Sequence, residues 1–382
     1  MLTPIYFTPP FIEKIMRQHM PDKEIQIIDC QQFIVDNSSS ILAVLTAGVS
    51  EKLIGHFGLS VTYSVDGQRQ IRRMVMKIKP HGREIVAMLT GLATACGGTL
   101  ADTYPAYAHL TGFAHSHGRE LAVYSHLPSP LQPEIFGTYA DDETGTYLIL
   151  MECLDDVTLM NSVMSPDLWT NAHIRQALDQ LAEFHAQHLG KTPPAAAAYW
   201  SDDVPSAAYM TKLTPLWQAL LQSAANAFPE LYTPERVARL ERIINDIPAY
   251  WAETEQLTNT LVHNDLNPRN ACFKPAPTGP VWCVYDWELA TYHVPQYDVV
   301  ELLCFVLDTD RYALRPAYLE HYRLALHRLT GRYPDPVTFR RGAQLAAYDF
   351  GLHRLGLYMM AHTLNPYPFL PRVVNSYFDM LA

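Results

Sequence analysis

Residues 261–286 constrain this chain more than any other stretch. They read Leu261-Val-His-Asn-Asp-Leu-Asn-Pro-Arg-Asn270, an apolar run Ala271 to Lys274, the turn-rich Pro275-Ala-Pro-Thr-Gly-Pro280, then Val281 to Tyr285 and Asp286. Two short apolar runs around a Pro/Gly turn predict an antiparallel hairpin. Such a hairpin sets its outer ends, Asn270 and Asp286, side by side. An amide oxygen and a carboxylate placed together suit a hard divalent cation. Pro268 fixes its own φ and stiffens the loop between Asp265 and Asn270. Asp and Asn also cap ordinary turns, but His263, Asp265, Asn270 and Asp286 in this order and spacing point to chemistry instead.

Composition removes other classes. The chain has 382 residues, 48% hydrophobic and 18% charged, which is globular and long enough for a large core. Its net charge of −11 argues against a nucleic-acid surface and mildly favours a cationic partner. The six cysteines show no Cys-x-x-Cys spacing, so neither a zinc site nor a redox motif is expected. The N-terminus has no basic stretch followed by a long apolar core. No run reaches transmembrane length without charge or proline. A cytoplasmic protein without a membrane span is expected.

The skeleton His263-x-Asp265, four residues, Asn270, then Asp286-Trp-Glu288 resembles the protein-kinase signature His-Arg-Asp-x-x-x-x-Asn followed by Asp-Phe-Gly. Asn264 replaces the Arg, and Asp-Trp-Glu replaces the second motif. Those departures resemble the small-molecule branch: aminoglycoside phosphotransferases, choline kinases and ecdysteroid-kinase-like enzymes. The resemblance implies a two-lobed α+β fold, with a small antiparallel-sheet N-lobe (residues 1–152) and a larger, mainly helical C-lobe (153–382). It implies ATP and Mg²⁺, with a small-molecule hydroxyl as acceptor. Asp265 would accept the hydroxyl proton, and Asn270 and Asp286 would hold the metal.

The same resemblance implies roles for the N-terminal half. Ile25 to Val35 has strand character. Ile41–Thr46, His56–Ser64 and Arg73–Lys79 read as three antiparallel strands, with a turn at Asp66-Gly67. Gly48 to Gly55 is then the nucleotide loop, with Gly48 and Gly55 admitting phosphate and Ser50 donating to it, although it lacks Gly-x-Gly-x-x-Gly. Lys77 is assigned to the α/β-phosphates, with Lys79 two residues on as its rival. A segment at 81–118 interrupts the pattern and is expected to elaborate the N-lobe. After it, Glu120 in Glu-x-x-x-Tyr124 is the expected partner of Lys77; Glu84 is the alternative. Leu148 to Leu154 resembles the hinge, where Glu152 and Leu154 would meet the adenine edge.

Beyond the hinge, Asn171–His188 has helical spacing and carries a structural His185. Thr233-Pro234 opens a helix predicted to run to Trp251. Asp298 matches a family aspartate that braces the catalytic region and is also a plausible helix N-cap. The tail reads as helices broken at Pro334–Pro336 and Asn365–Pro368. A catalytically inactive kinase-like binding module is the competing reading.

Overall fold

The structure is a computed structural model that describes residues 5–35, 53–191, 199–200, 204–277 and 279–382. Helix α1 (Pro9–His19) leads into strands β1 (Ile25–Phe33), β2 (Gly55–Val65) and β3 (Gln68–Lys79). Helices α2 (Gly82–Cys96), α3 (Gly98–Tyr107) and α4 (Ser116–His126) precede β4 (Ile135–Asp141) and β5 (Thr146–Glu152). The five strands form one antiparallel sheet in the order β1-β2-β3-β5-β4. The β2–β3 turn puts Asp66 at φ 49° and Gly67 at φ 78°. That is the conformation a two-residue Asp-Gly hairpin requires.

Strand alternation decides what faces the cleft. Met74, Met76 and Ile78 of β3 pack with Ile12, Ile15 and Met16 of α1 in one apolar cluster. The odd-numbered Val75, Lys77 and Lys79 therefore point the other way and line the cleft. The strand expected at 41–46 and the loop residues Gly48 and Ser50 lie outside the described residues. The strand that pairs with β2 is instead Ile25–Phe33.

The C-lobe begins with α5 (Asn171–His188), α6 (Ala207–Lys212), α7 (Thr214–Ala227), α8 (Pro234–Asn245) and α9 (Ile247–Thr254). The single helix expected over 234–251 is thus two. Pro248 opens the second, where it has no helix hydrogen bond to forfeit. Strands β6 (Thr260–Val262) and β9 (Thr291–His293) pair, as do β7 (Ala271–Lys274) and β8 (Val281–Val284). The expected hairpin is therefore present, with Ala271 opposite Val284. Helices α10 (Gln296–Val306), α11 (Arg315–Thr330), α12 (Pro336–Leu352), α13 (Arg354–Leu364) and α14 (Leu370–Met380) complete the chain.

The 81–118 segment differs from its expectation. Ile85, Leu89 and Ala93 of α2, with Leu100 and Tyr104 of α3, share an apolar cluster with Trp217 and Leu220 of α7 and Leu355 of α13. Its apolar face is at i, i+4 and i+8 on α2, so it buries that face on the helical layer rather than on the sheet. Gly82 permits the entry, since a Cβ there would lie 2.0 Å from the Ala114 carbonyl oxygen.

Candidate active site

The loop between β6 and β7 is held by buried carboxylates from α10. Asp298 accepts the backbone N–H groups of His263 (2.7 Å) and Asn264 (3.0 Å). It also lies 3.2 Å from the ring Nε2 of His185, which is fully buried. Asp298 is inside α10 rather than its N-cap; it braces the loop instead of starting the helix. Glu301, one turn on, accepts Leu266 N–H at 2.9 Å. Burial and the nearby Asp265 charge push the Glu301 carboxyl well above the usual range. Asn264 adopts φ 61°, a left-handed conformation that Asn tolerates better than most residues. Its side-chain amide donates to Leu289 O at 3.0 Å.

Asp265 has both oxygens engaged. Oδ1 meets Arg354 Nη2 at 2.8 Å and accepts from the Tyr358 hydroxyl. Oδ2 accepts from Asn270 Nδ2 at 2.9 Å. Burial pushes the Asp265 carboxyl up, but the guanidinium groups of Arg354 and Arg269 outweigh it and hold the acid below its ordinary range. The Asn270 amide nitrogen also donates to Asp265 O at 2.9 Å. Its NH₂ is therefore committed, and the oxygen is the end left for a cation.

Asp286 ends the β8 arm at φ 68°. Asn270 O accepts Tyr285 N–H at 2.9 Å, which fixes the two arms together. Asp286 Oδ1 lies 2.6 Å from Lys77 Nζ. Burial opposes its charge, yet Lys77 and Lys79 hold Asp286 well below the usual carboxylate range. Lys77 Nζ is 2.9 Å from both oxygens of Glu120, which is fully buried on α4. Lys79 also contacts Glu120 and lies 2.8 Å from Glu288. Both lysines thus enter one network, Lys77 toward Asp286 and Lys79 toward Glu288. Glu84 is elsewhere: its carboxylate accepts His81 N–H at 2.9 Å and caps α2.

At the hinge, Glu152 N–H donates to Glu134 O at 2.8 Å and Cys153 N–H to Arg73 O at 3.0 Å. The Glu152 side chain meets Lys274 at 2.5 Å, so its carboxylate serves packing between β5 and β7. Glu152, Leu154, Gly55, Lys77, Asp265, Asn270 and Asp286 all border one cleft of about 350 Å³. Carboxylate oxygens of Glu120, Asp286 and Glu288 come within 4.8 Å of one another. Lys77 and Lys79 already bind these carboxylates; the oxygen donors of Asp286 and of the Asn270 amide, which both border the cleft, are of the type that suits a hard divalent cation.

The model of the phosphotransferase enzyme family (APH) matches residues 58–338. The chain belongs to that family. Among solved structures, the phosphotransferase is similar to the aminoglycoside phosphotransferase APH(2'')-IIa in complex with gentamicin (13% identity, 96% of each chain, TM-score 0.47). It is also similar to a Plasmodium vivax ethanolamine kinase (11% identity, 95% of this chain and 82% of that one, TM-score 0.45). A third is APH(3'')-Id from Streptomyces rimosus with ADP and streptomycin (13% identity, 81% and 98%, TM-score 0.43). No curated protein sequence matches. No helix among the described residues is long and apolar enough to cross a membrane.

Sequence reasoning missed Arg354 and Tyr358 of this phosphotransferase's cleft and the buried Glu301 behind its loop, and it quoted Glu288 in a motif without giving it a partner. The available signal was Arg354 and Tyr358 at i, i+4 in an otherwise apolar tail helix, since a charge in such a helix needs a partner. The neighbouring His353 is also informative. Burial, with help from Arg354, pushes its imidazole down to about 3. Its ring Nε2–H donates to Thr111 O at 3.2 Å. A histidine lowered on folding contributes stability that is fully present above pH 6.5 and is lost as the pH falls toward about 3. Urea denaturation between pH 7 and 4.5 is expected to show that loss. His353→Gln should flatten the slope by up to about 1.4 kcal/mol per pH unit. An unchanged slope would remove His353 from the acid response.

Proposed function

We propose that this chain transfers the γ-phosphoryl group of ATP to a hydroxyl of a small molecule. The observation that supports this best is the convergence of Asp265, Asn270, Asp286 and the Lys77–Glu120 pair on one cleft. Within residues 1–152 the five-stranded sheet would supply the nucleotide face, and residues 153–382 the catalytic loop. Leu154 at the hinge and Gly55 at the start of β2 would border the nucleotide, with Gly48 and Ser50 in the loop before it. Lys77, oriented by Glu120, would neutralise the phosphates. Asn270 and Asp286 would hold Mg²⁺, whose positive charge would offset the charge that develops on the phosphates. Asp265 would orient the acceptor hydroxyl and take its proton.

Asp286→Ala tests the metal assignment. ATP titrations by calorimetry with and without Mg²⁺ are expected to differ for the wild type and to coincide for the variant. A variant that keeps the wild-type metal dependence would remove Asp286 from the ligand set. A screen of hydroxyl compounds for ADP release tests the reaction itself. Mg-dependent ATP binding without turnover of any of them would favour the inactive-module reading.

A further inference from the structure

The cleft continues past Asp265 into a chamber whose walls come from two helices. Met88, Leu89 and Leu92 of α2 form one side. Leu357, Tyr358 and Ala361 of α13 form the other. On each helix the lining residues recur at i, i+1 and i+4, so each presents one apolar face to the chamber. Phe113 and Tyr367 also border it. Apart from Asp265 and the carboxylates around Lys77 and Lys79, the only other acidic residue bordering the cleft among the described residues is Glu152 at the hinge.

The charges that do face this chamber are Arg269 and Arg354. Arg354 is paired with Asp265 at 2.8 Å. Arg269 has no carboxylate within ion-pair distance among the described residues. Its guanidinium stacks on Tyr358 and Phe369, each 5.4 Å to the ring centre. It donates to the Tyr358 hydroxyl at 3.2 Å and to Asn267 Oδ1 at 3.3 Å, both neutral acceptors. The Arg354 Nε is also buried without a partner. Arg354 takes the Asp265 carboxylate at close range, and a guanidinium such as Arg269, whose direct hydrogen-bond partners are neutral, favours an anion beside it.

We infer that the acceptor is an amine-free alcohol with an apolar body and an anionic group that meets Arg269. This rests on the phosphotransferase reading above and reverses the preference for a cationic acceptor suggested by the chain's net charge. That charge is spread over the whole surface, whereas a bound acceptor meets the local field of the two arginines. A polycation would place ammonium groups against both guanidiniums and leave the apolar walls uncovered.

Calorimetry on the full chain saturated with MgADP tests this with two probes. Deoxycholate carries ring hydroxyls, an apolar body and a carboxylate; kanamycin is a polycationic alcohol. Deoxycholate is expected to bind at least about tenfold tighter. Arg269→Gln should weaken it by about tenfold and leave kanamycin unaffected. Met88→Glu, at a half-buried position, should weaken deoxycholate similarly and improve kanamycin; Met88→Trp, which keeps the wall apolar but fills space, should weaken both. Equal or tighter binding of kanamycin, no binding of deoxycholate, or deoxycholate binding indifferent to Arg269 and Met88 would overturn the inference. Titration with MgATP keeps the two readings apart: its loss counts against the phosphotransferase reading, while its retention alongside a failed probe test counts against the acceptor class alone.

Discussion

Asp265→Asn is expected to slow phosphoryl transfer by about 10²-fold or more while leaving MgATP binding close to wild type. General-base contributions are of that size, and Asp265 is distinct from the residues that face the nucleotide. The isosteric amide keeps an oxygen for Tyr358 and Arg354 but removes the charge that Arg354 faces at 2.8 Å. Breaking a buried pair leaves an uncompensated ion, so the variant should also lose up to about 3 kcal/mol of stability. Turnover on the true acceptor and urea midpoints, measured on the same preparation, separate the two effects. Wild-type turnover in a folded variant would show that the catalytic-loop assignment is wrong.

Glu120→Ala carries the largest expected effect on folding. The Glu120 carboxylate is fully buried and is shared by the ammonium groups of Lys77 and Lys79. Removing it leaves two buried cations with only Asp286 and Glu288 between them. A loss of about 3–5 kcal/mol is expected by denaturant unfolding. Glu120→Gln, which retains the shape and one acceptor, should cost less and mainly weaken ATP binding by misplacing Lys77. If Glu120→Ala unfolds at the wild-type urea midpoint, the network contributes nothing to the fold, and Lys77 needs another orienting group.

Much of this cleft was legible because its residues are close in sequence or sit on patterned elements. The 261–286 stretch folds locally, so its hairpin and the approach of Asn270 to Asp286 followed from spacing alone. Lys77 was picked out by the family resemblance, while strand alternation kept Lys79 in contention; the structure puts both lysines on Glu120. What was not legible depends on tertiary pairing. Arg354 reaches Asp265 across 89 positions, and nothing in the tail helix names its partner. Asp298 was visible as a helix-start residue, but which backbone groups its carboxylate would take depends on how β6 meets α10. Likewise, the 81–118 segment has an amphipathic pattern that says it must bury a face, not against which lobe.

The placement of α2 and α3 has a mechanical consequence. The chain leaves β3 at Pro80, crosses to the helical layer, and returns at Ser116 to begin α4, which packs back on β4 and β5. It crosses again after Glu152. The two lobes are therefore joined at three covalent points rather than by one strand. A body fastened at one point swivels freely; one fastened at three separated points has few rigid rotations left. The first two crossings are the ends of the segment whose helix α2 borders the cleft beside Asp265. The segment that carries α2 is thus covalently continuous at one end with the strand of Lys77 and at the other with the helix of Glu120.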